Sequence, residues 1–227
     1  MKRIIAIVLT LTLAIMLVSC SVDDNTQNSS PKSADASTES AKTDIITTDK
    51  KVLTIYFSAS NTSNADATSS ATPDFNGLGS TAYIADYIHK KAGGDIEKII
   101  PVKDYPTGYD ETVNAAKTER DNDERPEFAP LEYNPEDYDV IFIGYPMWWY
   151  TLPMIMYTFF DTYDFSGKTI VPFNTHEGSG DGGTYDEIRE FEPNATVVDG
   201  LAIRGGDAEK SANSIDEWLE EFFNKNM

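Results

Sequence analysis

Cysteine and histidine are almost missing from this sequence: its 227 residues hold one cysteine, Cys20, and two histidines, His89 and His176. With no thiol after Cys20, the rest of the chain can form no disulfide, no CxxC redox pair and no cysteine-ligated iron–sulfur cluster. Two histidines alone are too few for a zinc site built on histidine and cysteine. Any redox chemistry would therefore run on an organic cofactor. Basic charge is scarce as well: 18 Lys and Arg against 38 Asp and Glu give a formal net charge of −20. That balance argues against nucleic acid as a partner, because phosphate backbones need a cationic surface. It also argues against adhesion to anionic lipid by charge. It suits solubility, and equally steering toward a basic-surfaced partner. Three signature loops are missing too. There is no GxxxxGK[ST] loop, no GxGxxG after the first strand, where Gly77-Leu78-Gly79 is followed by Ser, Thr and Ala, and no G-x-S-x-G elbow, which argues against ATP or GTP, classical dinucleotide binding and a hydrolase triad. No catalytic residue and no metal site is assigned.

Long apolar runs are limited to Ile4–Val18, which follows Lys2 and Arg3 and stops at Ser19-Cys20. A basic start, a short apolar core and small residues at its end make a secretory signal, too short for a comfortable membrane span. Leu17-Val18-Ser19-Cys20 resembles a bacterial lipobox, with the single cysteine at the position that is cleaved and lipidated. The alternative is ordinary secretory cleavage nearby and an incidental thiol. From Ser21 to about Lys50 the chain is rich in Ser, Thr, Asp, Asn and Lys, a composition that cannot offset its own ordering entropy. The expected organisation is a signal peptide over 1–19, the lipidated Cys20 with a disordered tether over 20–50, and one domain over 51–227, anchored by lipid outside the cytoplasmic membrane.

Within the domain, short apolar runs alternate with amphipathic stretches. Val52–Phe57, Ile96–Ile100, Asp139–Gly144, Thr169–Phe173 and Ala195–Ile203 read as strands. Ser80–Lys91, Tyr109 to about Glu124, Met154–Tyr163, Thr184–Phe191 and a segment through Ile215, Trp218, Leu219, Phe222 and Phe223 read as helices. This alternation predicts an α/β fold, a doubly wound three-layer sandwich on a five-stranded parallel sheet, in the order 2-1-3-4-5.

In such a sheet, ligands bind outside the carboxyl ends of the strands, and there the sequence is most unusual. Gly144-Tyr145-Pro146-Met147-Trp148-Trp149 places two indoles side by side after an apolar strand. Neighbours cannot both face one core, so at least one is expected at a rim or in a pocket. The pair suits stacking on a flat aromatic ligand; packing under a loop or in an oligomer interface is the other reading. The loop after the first strand, from Ser58, Ser60 and Asn61 through Gly79, Ser80 and Thr81, offers hydroxyls, glycines and a helix start. That combination makes a phosphate site or a plain Ser/Thr cap. The loop after the fourth strand, Asn174 to Gly183, is glycine-dense, implying close approach of backbone to something or a mobile turn. Within it, His176 reads equally as a capping or packing residue and as a functional one.

Taken together, Tyr56-Phe57-Ser58, Leu78-Gly79-Ser80-Thr81, Gly144-Tyr145-Pro146-x-Trp148-Trp149 and Pro172-Phe173-x-Thr175-His176-x-Gly178-Ser179-Gly180 resemble the flavodoxin-like FMN-binding proteins, in the branch with long first loops. The resemblance implies FMN as cofactor, with Ser58, Ser80 and Thr81 on its phosphate. Pro146, Met147, Trp148 and Trp149 would flank the isoalloxazine, and Thr175, His176, Glu177, Gly178, Ser179 and Gly180 would cover its pyrimidine side. The chain departs from that pattern at Ser80, where the family usually has Asn, and at Glu177, where it often has Gly. Glu177 would bring a carboxylate toward the flavin. The function implied is an electron-transfer protein serving an unidentified redox partner. An NAD(P)H-dependent quinone or nitro-compound reductase is the alternative, and a non-redox binding module on the same fold a further one. A phosphoacceptor receiver would need an Asp where Tyr145-Pro146 stands.

The anchor is directly testable. Cys20→Ala should move the processed protein from the membrane fraction to the soluble or secreted one, because the acidic domain has no other means of holding lipid. Processed Cys20→Ala protein that still sediments with membranes would exclude lipid at Cys20 as the anchor.

Overall fold

The computed structural model describes residue 46, residues 48–59 and residues 78–226. The signal peptide, Cys20, all but the last few residues of the tether, and the site candidates Ser60 and Asn61 lie outside the described residues.

Strand β1 (Val52–Phe57) leads to helix α1 (Ser80–Ala92), followed by β2 (Asp95–Ile99), α2 (Tyr109–Asp121), β3 (Val140–Pro146), α3 (Met154–Thr162), β4 (Thr169–His176), α4 (Thr184–Phe191), two short strands β5 (Thr196–Val197) and β6 (Leu201–Arg204), and α5 (Ala212–Asn226). The sheet is parallel throughout, in the order β2-β1-β3-β4-β5, with β6 also on β4. Two apolar layers cover it. On one face α1 and α5 pack Ile84, Ile88, Ile215, Leu219 and Phe222 onto Val140, Phe142 and Val171. On the other, α2, α3 and α4 pack Ala116, Ile155, Phe159 and Ile188 onto Leu53, Ile55 and Ile141. All seven residues of β3 are buried, the expected result for a central parallel strand covered on both sides.

Two strands run further than their apolar residues suggest. β3 continues through Tyr145 and Pro146, and β4 through Asn174, Thr175 and His176. The two extend together, in register from Val140↔Thr169 to Pro146↔Thr175, and Met147 N–H donates to Thr175 O at 2.7 Å just beyond. Gly144 permits close packing inside this pair: a Cβ there would stand 2.1 Å from Phe173 Cζ.

The fifth strand is not continuous, contrary to the sequence expectation of one run over Ala195–Ile203. Along β4, pairing passes from Ile170↔Val197 to Phe173↔Leu201, so the edge gains one residue. The cause lies on β4. Val198 N–H reaches Ile170 O at 3.0 Å, so the next β4 residue facing this edge is Pro172, which has no N–H to donate. Its carbonyl does face the break, since a Cβ on Gly200 would stand 2.5 Å from Pro172 O. Arg189 seals the outer side, donating to Val197 O and Val198 O (both 3.3 Å) and to Asp199 Oδ1 (2.9 Å). Trp218 Nε1–H reaches Asp199 O at 3.4 Å.

Gly144→Ala should destabilise the domain by at least about 1–3 kcal/mol, as overpacking in a dense core does. Paired with Phe173→Leu, its cost should shrink, with a coupling above about 0.5 kcal/mol in denaturant unfolding. Additive costs would show that the ring is not what Gly144 accommodates.

Candidate functional site

The start of α1 and the loops after β3 and β4 meet beyond the carboxyl edge of the sheet, and fully buried Thr175 joins them. Its carbonyl accepts Met147 N–H from the β3 loop, and its hydroxyl lies 2.7 Å from Thr81 Oγ1 at the start of α1.

Helix α1 begins after Gly79, which has no side chain to cap it, and its first turn contains no acid. Helices α2 and α4 are different, with Asp110 and Glu111 in one first turn and Asp186 and Glu187 in the other. No carboxylate of its own first turn therefore compensates the positive end of α1, and its first N–H groups have no partner within the helix. Ser58, Ser80 and Thr81 gather hydroxyls there, each at most 1% exposed, and Ser80 Oγ donates to Gly205 O at 3.2 Å. A small phosphate dianion matches this helix start, toward which the Ser80 hydroxyl can turn from Gly205 O.

After β3 the chain makes a two-residue hairpin: Trp148 N–H donates to Thr151 O (3.1 Å) and Thr151 N–H to Trp148 O (3.0 Å). The central residues Trp149 and Tyr150 have φ of 53° and 62°, a left-handed pair that Asn-Gly normally fills. Bulky residues held there cost on the order of 1–3 kcal/mol each and persist only where their surroundings fix them. The two indoles differ in depth, yet both sit on one apolar layer: Trp148 is a member of it and half-buried Trp149 packs against it. Trp148 is 2% exposed, edge-on to Phe57 (5.4 Å) and Tyr105 (5.0 Å). Trp149 is half-buried on α2, its Nε1–H donating to Val113 O at 3.1 Å and its ring under Arg120 at 5.2 Å. Tyr150, which the sequence reading passed over, is 74% exposed at the tip. Its neighbour Trp149 drew the attention, and only the turn geometry sets Tyr150 apart.

The β4 loop is glycine-rich for its backbone conformation. Gly178, Gly180, Gly182 and Gly183 all have positive φ, and nothing lies within 4 Å of a Cβ built on Gly178, Gly180 or Gly183. It is not a loose turn. Asn174 Nδ2 donates to Gly180 O (3.0 Å) and Asn174 Oδ1 accepts Tyr185 O–H (2.5 Å). Thr184 Oγ1 donates to Asp181 O (2.7 Å) and lies 2.8 Å from Tyr145 O–H. Gly182 brings this loop within 3.4 Å of Met147 and of Tyr150 O, counted from a Cβ on the glycine. Ser179 is partly buried, with its hydroxyl 3.5 Å from Gly180 O.

His176 Nδ1 accepts Gly178 N–H at 2.9 Å, which makes it a loop-pinning residue. Burial holds its pKa below the ordinary imidazole value, with Arg204 adding to the effect and Glu177 and Asp181 opposing it. Glu177 does not project as a lone carboxylate: its Oε2 lies 3.3 Å from Arg204 Nε, and its side chain is 8% exposed against 62% for Arg204. Among the described residues, no cluster of three His, Cys, Asp or Glu could hold a metal, and no helix is long and apolar enough to cross a membrane.

An open parallel sheet in this order, with a phosphate-fitting helix start and two ordered loops at its carboxyl edge, is a flavodoxin-like α/β protein. The flavodoxin family's sequence profile matches residues 70–222, and the chain belongs to that family. A candidate flavoprotein from Bacteroides eggerthii is 28% identical with a TM-score of 0.59, covering 75% of this chain and 96% of its own. Another, from Bacteroides uniformis, is 26% identical with a TM-score of 0.59, covering 75% and 97%. A flavoprotein from Lactobacillus acidophilus, solved in complex with FMN, is 18% identical with a TM-score of 0.49, covering 75% and 99%. No curated protein matches the chain significantly.

Because Glu177 raises the His176 pKa, Glu177→Gln should lower the imidazole midpoint further, as followed by NMR titration of the domain. A midpoint that stays or rises would remove Glu177 from the surroundings of His176.

Proposed function

We propose that this flavodoxin binds FMN at the joined loops and carries electrons outside the cytoplasmic membrane, tethered by lipid on Cys20. The observation that carries the reading is the acid-free, hydroxyl-lined start of α1, bonded through Thr81 and Thr175 to the loop that bears the aromatic turn. Bound FMN supplies one- and two-electron redox chemistry; the chain binds it, orients it and sets its surroundings. Ser58, Ser80, Thr81 and the first N–H groups of α1 hold the phosphate. The turn from Pro146 to Tyr150 walls the ring system, and the loop from Thr175 to Gly180 covers its pyrimidine side. Arg204 balances the Glu177 carboxylate on that side, so the departure from glycine does not leave a bare negative charge beside the ring. The acidic surface favours a redox partner with a basic face.

The test separates phosphate from ring. Flavin fluorescence should be quenched when FMN is added to residues 44–227. Replacing Ser80 by Ala, which leaves the Thr81–Thr175 bond in place, should weaken FMN by roughly tenfold or more, the effect of losing a hydrogen bond to a charged group, while riboflavin binding changes little. Unquenched flavin with folded protein would overturn FMN binding, and equal losses for both ligands would place the phosphate elsewhere.

A further inference from the structure

Helix α2, which the sequence presents as a polar surface element, grips the aromatic turn at two points. Val113 O and Arg120 hold Trp149. One residue before Arg120, Glu119 Oε2 accepts the Tyr105 hydroxyl proton at 2.9 Å, and the Tyr105 ring stands edge-on to Trp148, 5.0 Å between centroids at 84°. Tyr105 is 8% exposed and Trp148 2%, so neither ring can shift without the other. Glu119 also borders a cavity of about 330 Å³ shared with Lys103, Asp104, Glu124, Arg125 and Glu127, through which water can reach it.

Resting on the FMN reading of the site, we propose that Tyr105 and Glu119 are positioning residues: a latch by which α2 holds Trp148, and with it the strained turn beside the flavin, more firmly when Glu119 is ionised than when it carries a proton.

Glu119 titrates where this matters. Burial pushes its pKa up, to about 7; the Tyr105 hydrogen bond opposes that shift, Glu124 adds to it and Lys103 opposes it. Of the other charges in the cavity, Arg125 is committed to Asp123 and Asp161, leaving Asp104 and Glu127 as further acids nearby. The sign follows from reciprocity. Because the Tyr105 bond favours the ionised carboxylate, the ionised carboxylate favours the latched position of Tyr105 by the same free energy, and a charge-assisted bond is roughly twice as strong as a neutral one.

The experiment uses the full domain in a Trp218→Phe background, so that emission reports only Trp148 and Trp149. Without flavin, tryptophan emission should change with a midpoint near pH 7, and the change should vanish in Glu119→Gln, which keeps an acceptor but cannot titrate, and in Tyr105→Phe, which keeps the ring but loses the bond. Affinity for riboflavin, which has no phosphate to titrate, should rise roughly fivefold between pH 6 and pH 8 in the parent, the difference between a charged and a neutral hydrogen bond. It should be flat in both variants. A transition that persists in Glu119→Gln, or that is missing from the parent, overturns the latch. Failure to bind any flavin overturns the FMN reading instead, and the flavin-free emission still decides the latch.

Discussion

The whole carboxyl edge of the sheet hangs on Thr175. A side chain with one hydroxyl and a backbone with one carbonyl connect three segments far apart in sequence: α1 through Thr81, the β3 loop through Met147, and the β4 loop through its own position. Both bonds are short and fully buried, where exchange with water cannot weaken them and loss of either partner would strand a polar group. The arrangement requires β3 and β4 to stay paired beyond their apolar stretches, and that in turn requires Gly144, because the Phe173 ring occupies the space of any side chain there. The geometry of the site is thus set two residues below it, in the core.

Two kinds of irregular backbone border the cofactor region, and they are held differently. The glycine-rich loop takes up left-handed conformations at little cost and is fixed by buried amide and hydroxyl groups, Asn174 and Thr184 foremost. The Trp149-Tyr150 turn takes up the same conformations at real cost and is fixed by packing: Trp148 in the core and Trp149 against α2. Strain stored in a turn of bulky residues persists only when neighbouring contacts over-determine it. These two loops are preorganised, since contacts within the domain fix them.

Most of the frame could be read from the chain. Continuous apolar runs marked β1 and β3, and the pattern of Thr184–Phe191 marked α4 to the residue. The errors were of one kind. The sequence ends β4 at Phe173 because Asn174, Thr175 and His176 look like loop residues, and the burial of Asn174 and Thr175 depends on contacts from α4 and α1. The fifth strand looked unbroken because its defect comes from Pro172, on a different strand. Tyr105 and Glu119 carried no signal at all: a tyrosine in a proline-bounded loop and one more glutamate on a polar helix gain meaning only beside Trp148. Local pattern sets elements; partners supplied by distant segments set their ends and their roles.

The broken edge strand bears on how these molecules tolerate one another. A straight outer strand with free carbonyls is a template on which a second chain can add itself, the first step toward aggregation. Here the row is kinked by one extra residue, two of its carbonyls are occupied by the Arg189 guanidinium, and Trp218 reaches a third. A single proline inside the sheet has interrupted the rim over Val197–Asp199, so that stretch offers no straight template to a second strand.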